Sequence, residues 1–383
     1  METIKLYDND SYLTDFAATV TDCKPVGDKY IIVLDKTAFF PESGGQTGDT
    51  GKIDDAVITD TQTENGIIFH KADRTVKIGK TVNCTVDFKT RFDKMQNHSG
   101  EHIISGTAHQ LYGCDNVGFH LSNDTMTLDL NMPLDNTQIA NIEFLANEAV
   151  QKNVPVKILF PNKSELGNMQ YRSKKEIDGK VRIVEIEGYD VCACCAPHVK
   201  RTGEIGIIKI CGYEKHKDGV RLFVKCGMRA LSDYAQKQIS AEKISALLCA
   251  KQSEIAAAVS GLCEQNKQLL FEIKRKNREI LLEKVNAVGT KQNMLVLFCE
   301  DMPMDDIRFA VNNAKQHCET AAIFCKGTDN YTFICASDIK DMTVLADKMR
   351  KNLNAKCGGN ADMIQGSVYA TSDAIYDFFK LGY

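Results

Sequence analysis

Apolar and polar positions alternate at Val82, Cys84, Val86 and Phe88, the period of a half-buried strand. Residues 30–34 form a short apolar, β-branched run bounded by Gly27-Asp28 and Asp35, which predicts another strand. Between them lies a glycine-dense loop over residues 37–51, and residues 1–90 read as a small β-barrel. From about residue 91 to residue 112 the period lengthens to that of a helix. A second helix is predicted over residues 137–152, with Ile139, Ile142, Leu145 and Val150 on its buried face. Strand-like runs at 156–160, 181–186, 206–210 and 220–224 complete an α/β domain over residues 91–230.

The pattern changes at Leu231. Residues 232–288 contain no proline and only one glycine, Gly261, in a stretch rich in Ala, Glu, Lys, Gln and Leu. Ile255, Val259, Leu262, Asn266, Leu269, Ile273 and Ile280 follow a four-three spacing interrupted at Lys276. That is a coiled-coil seam in which Asn266 can fix register, and it predicts a homodimer through a helix over 244–282. The competing reading is a helical hairpin that packs on itself. Residues 231–289 thus form a helical spacer ahead of a C-terminal α/β domain at 290–383. There, strands are predicted at 294–298, 321–325 and 331–335, helices at 305–316 and 341–353, and a second glycine-marked loop at 357–366. The expected class is α+β: β-barrel, metal-binding α/β domain, helical spacer and terminal α/β domain.

At 383 residues the chain is long enough for two or three cores. Its 43% hydrophobic and 26% charged residues exclude a disordered or membrane-embedded composition. No stretch approaches the roughly 20 apolar residues of a membrane span, and the first residues lack the apolar core of a signal peptide. The cytoplasm is therefore the expected location and a membrane is not an expected partner. Fifteen cysteines scattered through a chain of this size fit reduced thiols better than a disulfide framework. The net charge of −4 neither favours nor excludes nucleic acid, because phosphate binding depends on local patches. Basic clusters occur at Arg172-Ser-Lys174-Lys175, at Lys274-Arg275-Lys276 with Arg278, and at Lys348, Arg350 and Lys351. Each taken singly reads as a solvated face.

Chemistry enters with His98 and His102, which lie four residues apart and so share one face of a helix. Cys194 and His198 form a second pair at the same spacing. Together they supply four ligands of the kind a tetrahedral Zn²⁺ prefers, one ion per chain. The plainer alternative is a metal that only staples the fold. A metallopeptidase helix would carry Glu directly after its first His, and here that position is Ser99. His109 lies about 10 Å further along the helix axis and reads as a partly buried helix residue.

These pieces, in this order, resemble the editing domain of alanyl-tRNA synthetases and, more closely, the free-standing AlaX-type alanyl-tRNA editing proteins. The carriers are Phe40-Pro-Glu-Ser-Gly-Gly-Gln-Thr-Gly-Asp-Thr-Gly51, His98-x-x-x-His102, and Cys194-x-x-x-His198 followed by Val-Lys-Arg-Thr-Gly-Glu-Ile-Gly206. The tail from about 290 is similar to the DHH-associated C-terminal domain of the synthetase. The resemblance implies trans-editing, the zinc-assisted hydrolysis of Ser-tRNA(Ala) and, as a second substrate, Gly-tRNA(Ala). It implies zinc on His98, His102, Cys194 and His198, and a glycine loop, with Gly44, Gly45, Gly48 and Asp49, bordering the pocket for the tRNA 3′ end. Asn97, Ser99 and Gln46 are the candidates to read the seryl hydroxyl. Two departures matter. Cys195, Ala196 and Pro197 fill the second half-site where synthetases carry Gly-Gly-Thr, and Pro197 removes an N–H, which leaves serine against glycine open. The tail's glycine loop is shorter than in synthetases. The competing function is a non-catalytic tRNA-binding module with a structural zinc.

Overall fold

The structure, a computed structural model, describes residues 2–173, 181–288 and 293–381. The chain divides into two compact units, Met1–Ser240 and Ala241–Tyr383. The boundary expected at 230 falls inside a helix, Gly227–Leu248.

In the first unit, six strands close into a barrel in the order Asp15–Val26, Lys29–Leu34, Ile67–Ala72, Ala56–Glu64, Gly51–Ile53, Thr81–Val86. The alternation read in the sequence is realised in the last of these, where Val82, Cys84 and Val86 are buried and Thr81, Asn83 and Thr85 are exposed. Phe88 does not continue that strand. Asp87 accepts hydrogen bonds from the backbone N–H of Thr90 at 3.2 Å and from its hydroxyl at 2.8 Å, capping a helix over Phe88–Tyr112. Inside the barrel, His70 is fully buried between the Thr37 hydroxyl, 2.9 Å from Nε2, and the Ile32 carbonyl, 3.0 Å from Nδ1. The carbonyl can only accept, so Nδ1 carries the proton.

The helix Phe88–Tyr112 is enclosed almost all round, with every residue from Lys94 to Ala108 buried. It packs with the helix Asn136–Lys152 and an antiparallel sheet ordered Ile208–His216, Gly219–Cys226, Met126–Leu130, Asn116–Leu121. Met95, Ile103, Ile104, Leu128, Ile142 and Leu222 lie in this core. A three-stranded sheet, Val156–Leu159, Ile183–Ile186 and Asp190–Ala193, flanks it.

The single helix expected over 244–282 is two. Gly227–Leu248 ends where Cys249 takes a φ of +50°, the Ser245 hydroxyl donates to the Ala250 carbonyl at 2.5 Å, and a new helix runs over Ile255–Ala287. No glycine or proline marks this break. Leu262, Leu269 and Ile273 of the seam are exposed. A five-stranded sheet follows, in the order Met294–Glu300, Thr320–Lys326, Tyr331–Ser337, Met363–Val368, Lys356–Gly359. Residues 357–366, expected as a loop, form a hairpin within it. A Cβ on Gly366 would come 2.2 Å from the Lys356 carbonyl, so the glycine serves close strand approach and hides the alternation. Among the described residues, no helix is long and apolar enough to cross a membrane.

Burial pushes the His70 imidazole down to about 4. A histidine held neutral in the fold but free to protonate when unfolded contributes its full stability above the ordinary value near 6.5, and loses it as pH falls through about 4. The loss should reach about 3 kcal/mol, because each tenfold change in proton affinity is worth about 1.4 kcal/mol. Urea denaturation followed by circular dichroism at pH 7, 5 and 4 should show this slope, and His70→Gln should reduce it. An equal slope in the variant would remove His70 as its source.

Candidate metal centre

The helix Phe88–Tyr112 presents His98 and His102 side by side, their ring centroids 5.5 Å apart. The loop after strand Asp190–Ala193 brings Cys194 and His198 to the same place. The Cys194 sulfur lies 3.7 Å from His98 Nε2 and 3.4 Å from His198 Nε2, and all four ligand atoms fall within 4.8 Å of one another. The His198 ring stands nearly perpendicular to that of His102. A tetrahedral metal with nitrogen at about 2.1 Å and sulfur at about 2.3 Å separates N and S by about 3.6 Å, so the spacing suits such an ion.

Each imidazole is fixed through its other nitrogen. His98 Nδ1 lies 2.8 Å from the Gln46 side-chain oxygen Oε1, His102 Nδ1 lies 2.8 Å from Asp190 Oδ2, and His198 Nδ1 lies 3.0 Å from the Ser99 hydroxyl. A carboxylate cannot donate, so His102 Nδ1 carries the proton, and its Nε2 lone pair is available to a metal. Burial alone would raise the Cys194 thiol, but His98 and His198, with hydrogen bonds from His102 and His198, hold it well below the usual thiol range. Burial pushes His198 down to about 3. Burial also opposes charge on His102, yet the hydrogen bonds to Asp190 and Cys194 raise it well above the ordinary value. The surrounding histidines thus favour the thiolate of Cys194, the form in which sulfur binds a metal.

Behind the ligands runs a second layer that the sequence did not reveal. Arg172, read as part of a basic patch, clamps Asp190 through Nε at 2.8 Å and Nη2 at 3.0 Å, and also reaches the Ser105 hydroxyl at 2.8 Å. Lys174 and Lys175 of that patch lie outside the described residues. Ser105 in turn donates to the Glu101 carboxylate at 2.9 Å. Arg182 donates to the carbonyls of Cys194 at 2.7 Å and Ala196 at 2.9 Å, which shapes the loop that carries two ligands.

The glycine loop is gripped by the same helix. Asp49 and Arg91 form an ion pair with each side chain 1% exposed, and Lys94 donates to the Gly48 carbonyl at 2.7 Å and the Thr47 carbonyl at 3.2 Å. Asp49, expected to border the substrate pocket, is thus committed to Arg91. Gly48 is buried where a Cβ would come 2.2 Å from the Thr61 carbonyl, so its role is close packing. Gly44 and Gly45 remain exposed at the loop tip. Asn97, expected to meet substrate, is fully buried. Its amide donates to the Asp93 carbonyl at 2.8 Å and accepts from the Cys226 N–H at 2.9 Å. Ser99 and Gln46 orient His198 and His98, while Gln46 Nε2 is buried and, among the described residues, has no hydrogen-bond partner. His109, expected to be partly buried, is exposed beside Asp115 at 2.9 Å.

Two family descriptions match this chain. They are tRNA synthetases class II (A) over residues 9–90, and the threonyl and alanyl tRNA synthetase second additional domain over residues 181–223. The alanyl-tRNA editing protein AlaX-L of Pyrococcus horikoshii is 29% identical over 97% of this chain and 96% of its own length. The alanyl-tRNA editing protein Aarsd1 of Mus musculus is 30% identical over 69% of this chain and 68% of its own. An alanine–tRNA ligase of Methanopyrus kandleri is 33% identical over 74% of this chain, which spans only 32% of that enzyme. The C-Ala domain of Aquifex aeolicus alanyl-tRNA synthetase matches 23% of the chain at 20% identity and a TM-score of 0.21.

Asp190→Asn keeps the shape beside His102 but removes the charge. Its affinity for a divalent metal should fall about 10- to 100-fold, the usual cost of losing an outer-sphere carboxylate. Competition against a chelating dye measures it, and an unchanged affinity would mean that Asp190 only anchors Arg172.

Proposed function

Because this chain belongs to the alanyl-tRNA editing protein family, we propose that it deacylates tRNA(Ala) mischarged with serine, and with glycine as a second substrate. The observation that carries this reading is the convergence of His98, His102, Cys194 and His198, in a chain that matches an editing protein nearly end to end. Three imidazoles and a thiolate suit Zn²⁺ above the harder cations that prefer oxygen. When bound there, zinc would supply a fixed positive charge able to orient the substrate or polarise the ester carbonyl.

The rest belongs to the chain's own residues. An aminoacyl ester is already activated, so correct placement of ester and water can supply much of the barrier reduction. Gln46, Asp190 and Ser99 hold the three imidazoles in single orientations, and the burial of those imidazoles limits stray water. Serine selection needs a buried group that is satisfied by the seryl hydroxyl and left unpaired by alanine. The unpartnered Nε2 of Gln46 supports that role. Four protein ligands resemble a closed structural site, which is what favours the second reading, a tRNA-binding module whose zinc only holds the fold.

Incubation with Ser-tRNA(Ala), Gly-tRNA(Ala) and Ala-tRNA(Ala) separates the two. Loss of the seryl ester on the order of 10⁴- to 10⁵-fold faster than the alanyl ester is expected from hydroxyl recognition. Binding with all three esters intact would establish the module instead. His102→Ala should lose both the metal and deacylation, whereas Cys195→Ser, which alters the neighbour of a ligand, should keep one zinc per chain by elemental analysis. Full zinc occupancy in His102→Ala would remove that histidine from the ligand set.

A further inference from the structure

A groove of about 380 Å³ opens in the first unit along the helix Gly227–Leu248. Its opposite wall includes Asp93 and the exposed turn residues Asn123 and Asp124. Arg229 lines it with a side chain only 10% exposed. Nε of that arginine donates to the Asp93 carboxylate at 2.9 Å, and Nη2 donates to the same carboxylate and, at 2.8 Å, to the Ser122 carbonyl. Nη1 is buried and, among the described residues, has no hydrogen-bond partner. A buried N–H group without an acceptor costs about 1–3 kcal/mol, so its place in the wall of an open groove calls for an acceptor that the groove supplies. Lys225 lines the same groove and shares one carboxylate with Lys237. Asp233 lies 2.5 Å from the first ammonium and 2.6 Å from the second, which leaves a unit of positive charge on that side. Asp93 is committed to Arg229, and Asp124 stands exposed at the rim.

Donors and charge at the wall, with a carboxylate at the rim, suit a ribose–phosphate chain. A phosphodiester brings anionic acceptors to Arg229 Nη1 and Lys225. A ribose 2′-hydroxyl brings a donor to Asp124, which a free phosphate or DNA cannot do. The volume is near the lower end for small-ligand sites and suits one sugar–phosphate unit. Asp93 precedes His98 by five residues of one helix, about 7.5 Å along its axis. Backbone held so near the metal centre belongs to the acceptor arm, whose end bears the ester. Resting on the editing function proposed above, we infer that this groove grips the sugar–phosphate backbone of the tRNA acceptor arm, with phosphate at Arg229 and Lys225 and a 2′-hydroxyl at Asp124. These residues hold the RNA and take no part in the bond change.

The test uses the full-length, zinc-loaded protein and an uncharged, fluorescein-labelled RNA hairpin with the acceptor-stem sequence of tRNA(Ala). Fluorescence anisotropy gives the affinity at salt concentrations from about 50 to 200 mM, the range over which phosphate contacts are most visible. Lys225→Gln removes one phosphate partner, so log affinity against log salt should become shallower by about 0.7–0.9, the share of one neutralised phosphate. Gln236→Glu adds a negative charge to an exposed wall of the groove and should weaken binding by about 5-fold or more, the cost of one like charge about 4 Å away in water. Circular dichroism and zinc content of both variants should match the unaltered protein. The same hairpin built with 2′-deoxyribose should bind the unaltered protein more weakly, and Asp124→Ala should narrow that gap by about 10-fold, the worth of one hydrogen bond to a charged group. An unchanged salt slope in Lys225→Gln, with undiminished binding by Gln236→Glu, would overturn the phosphate site. An unchanged ribose preference in Asp124→Ala would overturn RNA as the occupant in favour of free phosphate. A protein that meets both expectations yet hydrolyses no ester would instead overturn the editing reading and leave the groove standing.

Discussion

A helix enclosed on nearly every side must find partners for most of the polar groups it carries inward, because an unpaired buried donor or acceptor costs about 1–3 kcal/mol. Phe88–Tyr112 carries many such groups, and their partners come from several parts of the first unit. Arg91 and Lys94 take the glycine loop, Gln96 takes the Glu204 carbonyl, Asn97 takes Cys226, and Ser99 takes His198. The barrel, the loop and the late cysteine–histidine segment are held together by this one requirement. His98 and His102 are two more polar groups on the same helix, and a metal is the partner their Nε2 atoms suit.

The buried charges follow the same rule. Arg91 with Asp49 and Arg172 with Asp190 are bonded side chain to side chain. Such pairs add little net stability over apolar residues of equal size, but losing one partner strands a buried charge and costs about 3–5 kcal/mol. Their value here is geometric. Each pair fixes a segment that itself positions a ligand or a ligand's hydrogen-bond acceptor. Arg172 holds Asp190, which holds His102, and Arg91 holds the loop that delivers Gln46 to His98.

The same loop links His98 to the strand Asn116–Leu121. Its buried end is anchored by Asp49, and Gln46 reaches inward to His98. Its glycine tip runs bare past Phe119. One short segment therefore sets both the orientation of a ligand and the space left for whatever approaches it. A side chain at Gly45 would disturb both, because the clash is with backbone, which cannot swing aside.

The sequence by itself determined what depends on local spacing. Four residues on a helix put His98 and His102 on one face, two-residue alternation put Val82, Cys84 and Val86 into a core, and Cys194-x-x-x-His198 supplied the matching half-site. Tertiary structure decided what depends on segments distant in the chain. Asp190 and Arg172 carry no periodic signature, since their partners sit 88 and 67 residues away at His102 and Ser105. Asp49 and Asn97 read as available polar groups until burial assigned them to Arg91 and Cys226. The turn at Cys249 and the hairpin over residues 356–368 were likewise invisible. One breaks a helix without glycine or proline, and the other fills strand positions with glycine because two backbones meet there. Periodicity records which face a residue occupies, and only packing determines what it meets on that face.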